Sequence, residues 1–220
     1  MKNKLFVVGA AIAAIIIFLV VSMNTKTPAP VVPVVESLPP ESQSNGAPLF
    51  VRPHSPSMGN TMARVTVIEW FDPECESCRM FHPVFKKIVA QYKDRVHFVL
   101  RYMPYHKNSM YAASVLEEAH EMGKFEQALD ILFEKQPEWG DHHAPKPELI
   151  PGYLAKIGLS KNNLVPEVVI KKHGEKVKID EDDGMRLGVQ STPTFFVNGQ
   201  PLEQLGEKNL IDMIELVLEK

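Results

Sequence analysis

The chain has 220 residues, 45% of them apolar, and a formal net charge of -3. That balance fits one globular domain with something appended and excludes a disordered tail or a collagen-like array. With lysines scattered through the predicted helices instead of gathered in a stripe, it also excludes a basic footprint for nucleic acid.

Lys2 and Lys4 precede an unbroken apolar run of 17 residues, Leu5 to Val21. A bilayer-spanning helix takes about 17–25 residues and a cleavable signal core about 7–15. Neither a small-x-small cleavage site nor a lipid-accepting cysteine follows the run. Residues 1–24 are therefore expected to form an uncleaved signal anchor, with a cleaved signal peptide as the alternative. The lysines ahead of the run belong on the cytoplasmic side, so the rest of the chain is expected to face the extracytoplasmic space. The expected location is the cytoplasmic membrane, single-pass with the domain on the periplasmic side, or the soluble periplasm after cleavage. Residues 25–57 are rich in proline and poor in aromatics. Such a segment favours extended polyproline II and reads as a semi-rigid linker.

Arg64 to Phe71 (RVTVIEWF) is dense in β-branched and aromatic residues on both sides, which predicts a buried central strand. After the turn DPE, Phe81, Val84, Phe85, Ile88, Val89 and Tyr92 recur at helical spacing, so a helix starts at or beside Cys75. Val96 to Tyr102 (VHFVLRY) predicts a second strand, and strand, helix, strand makes a right-handed parallel unit. From Asn108 to about Lys172 the pattern is helical only, broken at Gly123, Pro137, Gly140 and Gly158. Strand character returns at Thr194 to Val197, with Asn198-Gly199 as a hairpin turn into Gln200 to Glu203. Lys208 to Leu218 closes the chain as an amphipathic helix. The predicted architecture is α/β, a mixed central sheet flanked by helices and interrupted by an all-helical subdomain.

The only two cysteines are Cys75 and Cys78, separated by Glu76 and Ser77. A structural disulfide over so short a loop would restrain the unfolded chain little. A zinc site needs more ligands than two, and copper(I), which accepts two thiolates, finds only Met80 nearby. A redox pair explains the position, because a helix N-terminus stabilises a thiolate at Cys75 and Cys78 lies one turn along the same face. A C-x-x-C that follows a strand and opens a helix is the context of thioredoxin-like chemistry.

On these residues the chain resembles the thioredoxin-fold thiol–disulfide oxidoreductases, in particular the DsbA-like branch with a helical insertion. VIEWFDPECESC is similar to that family's strand-loop-helix active site, and GVQSTPTFFVNG to its second signature. Pro83 is similar to the kinking proline of the active-site helix. The resemblance divides the chain into a thioredoxin-like domain at residues 58–106 and 175–220 and a helical insertion at 107–174. It implies that Pro193 is cis and faces the cysteines, and that Thr192 presents its backbone to an extended substrate segment. It also implies that Glu69 relays a proton to or from Cys78; read alone, Glu69 is equally a solvent-facing or salt-bridged glutamate. Catalysis is thus expected from Cys75, Cys78, Glu69 and Pro193, and substrate contact from Thr192 and Pro193.

The chain departs from the family's strong oxidants at Glu76 and Ser77, where no histidine stands beside the second cysteine. An acid next to Cys75 opposes its thiolate, so these two residues are expected to tune the couple to a less oxidising poise. No cofactor or metal is expected, because the Cys75–Cys78 disulfide itself carries two electrons. Expected partners are exported cysteine-containing proteins and a membrane redox partner, either a DsbB-like oxidase or a thiol donor. A copper(I)-handling module and a non-catalytic peptide-binding or assembly protein remain as alternative functions. His142-His143 could ligate a metal but, for want of nearby acids or cysteines, reads as solvent-facing, and the acidic run Asp180 to Asp183 as a solvated helix face or terminus.

Overall fold

Alternating side chains on two short strands decide how the sheet is covered. The computed structural model describes residues 49–219; the expected anchor and most of the expected linker lie outside them. The order is β1 (Ser57–Gly59), β2 (Val65–Phe71), α1 (Glu76–Tyr92), β3 (Val96–Tyr102), α2 (Ser109–Glu121), α3 (Phe125–Trp139), α4 (Ile150–Leu154), α5 (Pro166–Arg186), β4 (Thr194–Val197), β5 (Gln200–Pro201) and α6 (Glu207–Leu218). Short 3-10 turns flank α4. The five strands are ordered β1-β3-β2-β4-β5. β2 and β3 run parallel, and the other pairs are antiparallel.

Val65, Val67 and Phe71 of β2 face a large core that includes Phe81, Phe85 and Ile88 of α1, Leu210 and Ile214 of α6, and much of the insertion. Ile68 and Trp70, of opposite parity, face a smaller core with Val99, Met103, Val189 and Phe196. Phe50 closes that second face, edge-on to Phe196 at 5.4 Å and to Trp70 at 6.3 Å between ring centroids. This overturns part of the expected linker, since residues 49–57 belong to the domain. Leu100 N–H donates to the Pro56 carbonyl at 2.9 Å, and β1 pairs with β3 from Ser57 onward. A proline-rich stretch docks here because its partners, an exposed strand edge and an aromatic face, are supplied by distant residues.

Three further expectations are corrected. The boundary between residues 174 and 175 falls inside α5, which runs unbroken because Val169, His173, Val177, Asp180 and Gly184 form one inward stripe. Pro137 does not break its helix; it stands in the last turn of α3, where it forfeits one backbone bond just before the helix ends. Asp180 and Asp183 are buried, not solvated. Arg101, itself fully buried, reaches Asp180 at 2.8 Å and Asp183 at 2.7 Å. Arg52 adds two bonds to Asp183 at 2.7 and 2.8 Å, and His54 meets Asp180 at 2.8 Å. Gly184 lets α5 approach the sheet, since a Cβ there would lie 2.7 Å from Trp70 Nε1.

The hairpin turn forms as predicted, with positive φ at both Asn198 (46°) and Gly199 (79°). The strand after it ends at Pro201, short of the predicted Glu203.

Candidate active site

β2 delivers the chain to a turn, Asp72-Pro73-Glu74, whose two carboxylates are buried. Burial is tolerated because each is saturated with donors. Asp72 accepts from the backbone N–H groups of Glu74, Tyr105 and His106, from the Ser109 hydroxyl at 2.5 Å, and faces His106 Nδ1 at 2.7 Å. Glu74 accepts from the backbone and side-chain N–H groups of Asn108, both at 2.7 Å. The turn is thereby fastened to the start of α2. From α3, Gln136 Nε2 donates to the carbonyls of Pro73 (2.9 Å) and Cys75 (3.0 Å), while its Oε1 accepts from Arg79.

Cys75 is the N-cap residue of α1, with extended backbone (φ -78°, ψ 125°), and Cys78 lies fully buried in the first turn. The Cys75 thiol donates to the Thr192 carbonyl at 3.4 Å, and Asp72 N–H donates to Cys78 Sγ at 3.5 Å. The Thr192-Pro193 bond is cis, and Thr192 lies against Cys75. A hydrogen bond with Cys78 does most to draw the Cys75 thiol down, to about 5. Burial opposes this, while the Thr192 side chain and the backbone N–H groups of Ser77 and Cys78 assist. Burial, then the hydrogen bond and charge of Cys75, push Cys78 well above the ordinary thiol value. One sulfur is thus prepared as a thiolate and the other held as a thiol.

Glu69 sits on β2, buried to 4% exposure, opposite Leu100 and Phe195. Burial pushes its carboxyl up to about 8, and its charge acts on Cys78. The solvent-facing or salt-bridged alternative for Glu69 therefore does not hold among the described residues. Glu76 and Ser77 are both exposed.

The structure also brings together residues that the sequence reading left apart. Glu76 meets His142 at 2.9 Å, so the loop histidine does have an acid beside it, contrary to expectation; the loop after α3 folds back over the start of α1. His106 stands next to both, with ring centroids of His106 and His142 5.1 Å apart. Asp72, Glu74, His106 and Gln136 were missed. The acid-proline-acid turn before the first cysteine was the one available signal; the partners that make sense of it lie 33 to 63 residues away.

A strand-loop-helix dithiol faced by a cis-proline turn, in a mixed sheet with a helical insertion, defines the class. The thioredoxin family profile, described as "Thioredoxin", matches residues 52–215. The chain is 30% identical over 181 residues to disulfide bond formation protein D of Bacillus subtilis, covering 75% of this chain and 76% of that protein. It superposes on the crystal structure of oxidised BdbD from Bacillus subtilis with a TM-score of 0.68 and 28% identity, covering 76% of this chain and 94% of that one. It is also 31% identical over 140 residues to the Na(+)/H(+) antiporter NhaA of Herminiimonas arsenicoxydans. That match covers 64% of this chain but 22% of the antiporter's length. The chain belongs to the thioredoxin family, in its DsbA-like branch of thiol–disulfide oxidoreductases.

Proposed function

We propose that the chain exchanges disulfides with exported cysteine-containing proteins through the Cys75–Cys78 couple. The observation that carries this is the placing of the two sulfurs: Cys75 is the N-cap residue of α1 against the carbonyl of the cis Thr192-Pro193 bond, and Cys78 is fully buried in the first turn, with burial raising its thiol while that of Cys75 is drawn down to about 5. In the oxidising direction a substrate thiolate attacks Cys75 Sγ, and the Cys75–Cys78 bond breaks. Cys78 leaves with the electron pair and takes up a proton. A second substrate thiolate then attacks the substrate sulfur of the mixed disulfide and releases Cys75 as its thiolate. The substrate is oxidised by two electrons and the couple reduced by two. In the reducing direction the same steps run backwards.

Glu69 fits the role of proton exchanger for Cys78, because a buried carboxyl that titrates near 8 can give or take a proton at working pH. The Thr192 backbone, beside Cys75, suits strand-like pairing with an extended substrate segment. A membrane redox partner resets the couple, a quinone-linked DsbB-like oxidase if disulfides are inserted or a thiol donor if they are reduced or isomerised. We assign the domain to the extracytoplasmic side, tethered by residues 1–24. Among the described residues no helix is long and apolar enough to cross a membrane.

Insulin reduction and refolding of a scrambled disulfide substrate, run on wild type and Cys75→Ser, test the reading. Loss of both activities in the variant is expected. Retention would point to a peptide-binding or assembly protein.

A further inference from the structure

We propose that Glu76, His106 and His142 bind one divalent transition-metal ion of the zinc class at the rim of the cysteine pair. Each residue offers one ligand atom, and these atoms all lie within 4.8 Å of one another. Two imidazoles and a carboxylate with an open fourth position form a donor set that zinc accepts. His106 is already held for such a role. Its Nδ1 meets Asp72 Oδ2 at 2.7 Å, so ligation falls to Nε2. A carboxylate behind a ligating histidine fixes the tautomer and makes the ring a better donor. Asp72 cannot swing away, because three backbone N–H groups and the Ser109 hydroxyl hold it in the interior.

The surroundings favour a cation. Asp72, Glu74 and Glu76 lie in the turn and first helical residue, and Asp141 precedes His142. A cavity beside Glu76 and His142 is lined further by Arg79, Gly140, Asp141 and His143. Arg79 is turned to Gln136 by its Nε. A second cluster, Glu118, Glu121 and His173, differs in this respect. Lys172 already bonds Glu118 at 2.6 Å and Glu121 at 2.9 Å, so its carboxylates have their cation.

The tag-free full chain, titrated with Zn²⁺ against a chromophoric chelator at pH 7, tests the site. One equivalent is expected. His142→Ala and Glu76→Gln should each weaken binding by roughly 10-fold or more. Co²⁺ should give visible d–d absorption that His142→Ala abolishes. His142 is on an exposed loop, and a thermal melt confirms that the variant folds. Cys75→Ser/Cys78→Ser should keep the site. Complete loss of zinc from that double variant would transfer the metal to the thiols and overturn the proposal. So would unchanged affinity in both His142→Ala and Glu76→Gln, or no binding below millimolar zinc. Zinc binding that persists while disulfide exchange is absent leaves the site standing and removes the proposed function; exchange without zinc binding does the reverse.

Discussion

The two faces of the central sheet bury charge in opposite ways. On the face toward α1, Glu69 of β2 has only apolar neighbours on its strand partners, Leu100 and Phe195, and its carboxyl titrates near 8. One residue further along, Trp70 stands opposite Arg101, whose guanidinium lies 5.1 Å from the Trp70 ring and is held by Asp180 and Asp183. Charge that is matched when buried contributes to architecture, while a carboxyl left unmatched holds its proton to an unusually high pH, as the proton-store role proposed for Glu69 requires. A one-residue step across the pleat separates the two.

The comparison breaks most visibly at Arg101. Arg101→Met leaves Asp180 and Asp183 with too little counter-charge and should cost about 3–5 kcal/mol, read by denaturant unfolding. Adding Asp180→Leu should recover part of that loss, because an apolar replacement removes the stranded carboxylate. No recovery would mean that the network matters by shape alone. Next in size is Gly184→Ala. Its Cβ would fall 2.7 Å from Trp70 Nε1 and 2.9 Å from Met103 Sδ, and overpacking of this kind costs about 1–3 kcal/mol.

On the Glu69 face the expected effects are smaller and depend on pH. The folded carboxyl keeps its proton to about 8, whereas its ordinary value is 4.5. Between those values the folded state binds more protons than the unfolded, so Glu69 lowers stability as pH rises through that window. Cys75 has the opposite sign in the reduced protein. Its thiol is drawn from 9.0 to about 5, so its contribution grows as pH rises from about 5 to 9. The disulfide form lacks that second slope, and its stability should fall more steeply from pH 5 to 8 than that of the dithiol. Glu69→Gln should flatten the oxidised curve and alter the pH dependence of dithiol exchange; unchanged curves on both measures would exclude the proton-store role. The smallest expected effect is on poise. Alkylation of Cys75 should titrate with a midpoint near 5, between the ~3.5 of a strong oxidant and the ~7 of thioredoxin. The potential should correspondingly lie between ~-120 and ~-270 mV, and Glu76→His should move it toward the oxidising end.

Much of the fold was legible because the signals were local. β2, α1, β3, the Asn198-Gly199 turn and the closing helix each carry their own periodicity or turn chemistry within about 20 residues. The cysteine pair was legible for the same reason, being a short motif between a strand and a helix. What escaped depends on partners far along the chain. Asp180 and Asp183 read as surface because Arg101 precedes them by 79 and 82 residues. Residues 49–57 read as linker because composition is blind to the β3 edge that receives them. His106 carried no signal, and His142 read as solvent-facing, until folding set them beside Asp72 and Glu76.

The outer strands of the sheet, β1 and β5, are three and two residues long, and β5 ends in Pro201, which has no N–H to offer. Among the described residues an extended polypeptide therefore finds almost no free ladder at the sheet edges on which to stack. A protein with the function proposed above would, by this geometry, be poorly suited to nucleating the aggregation of its substrates.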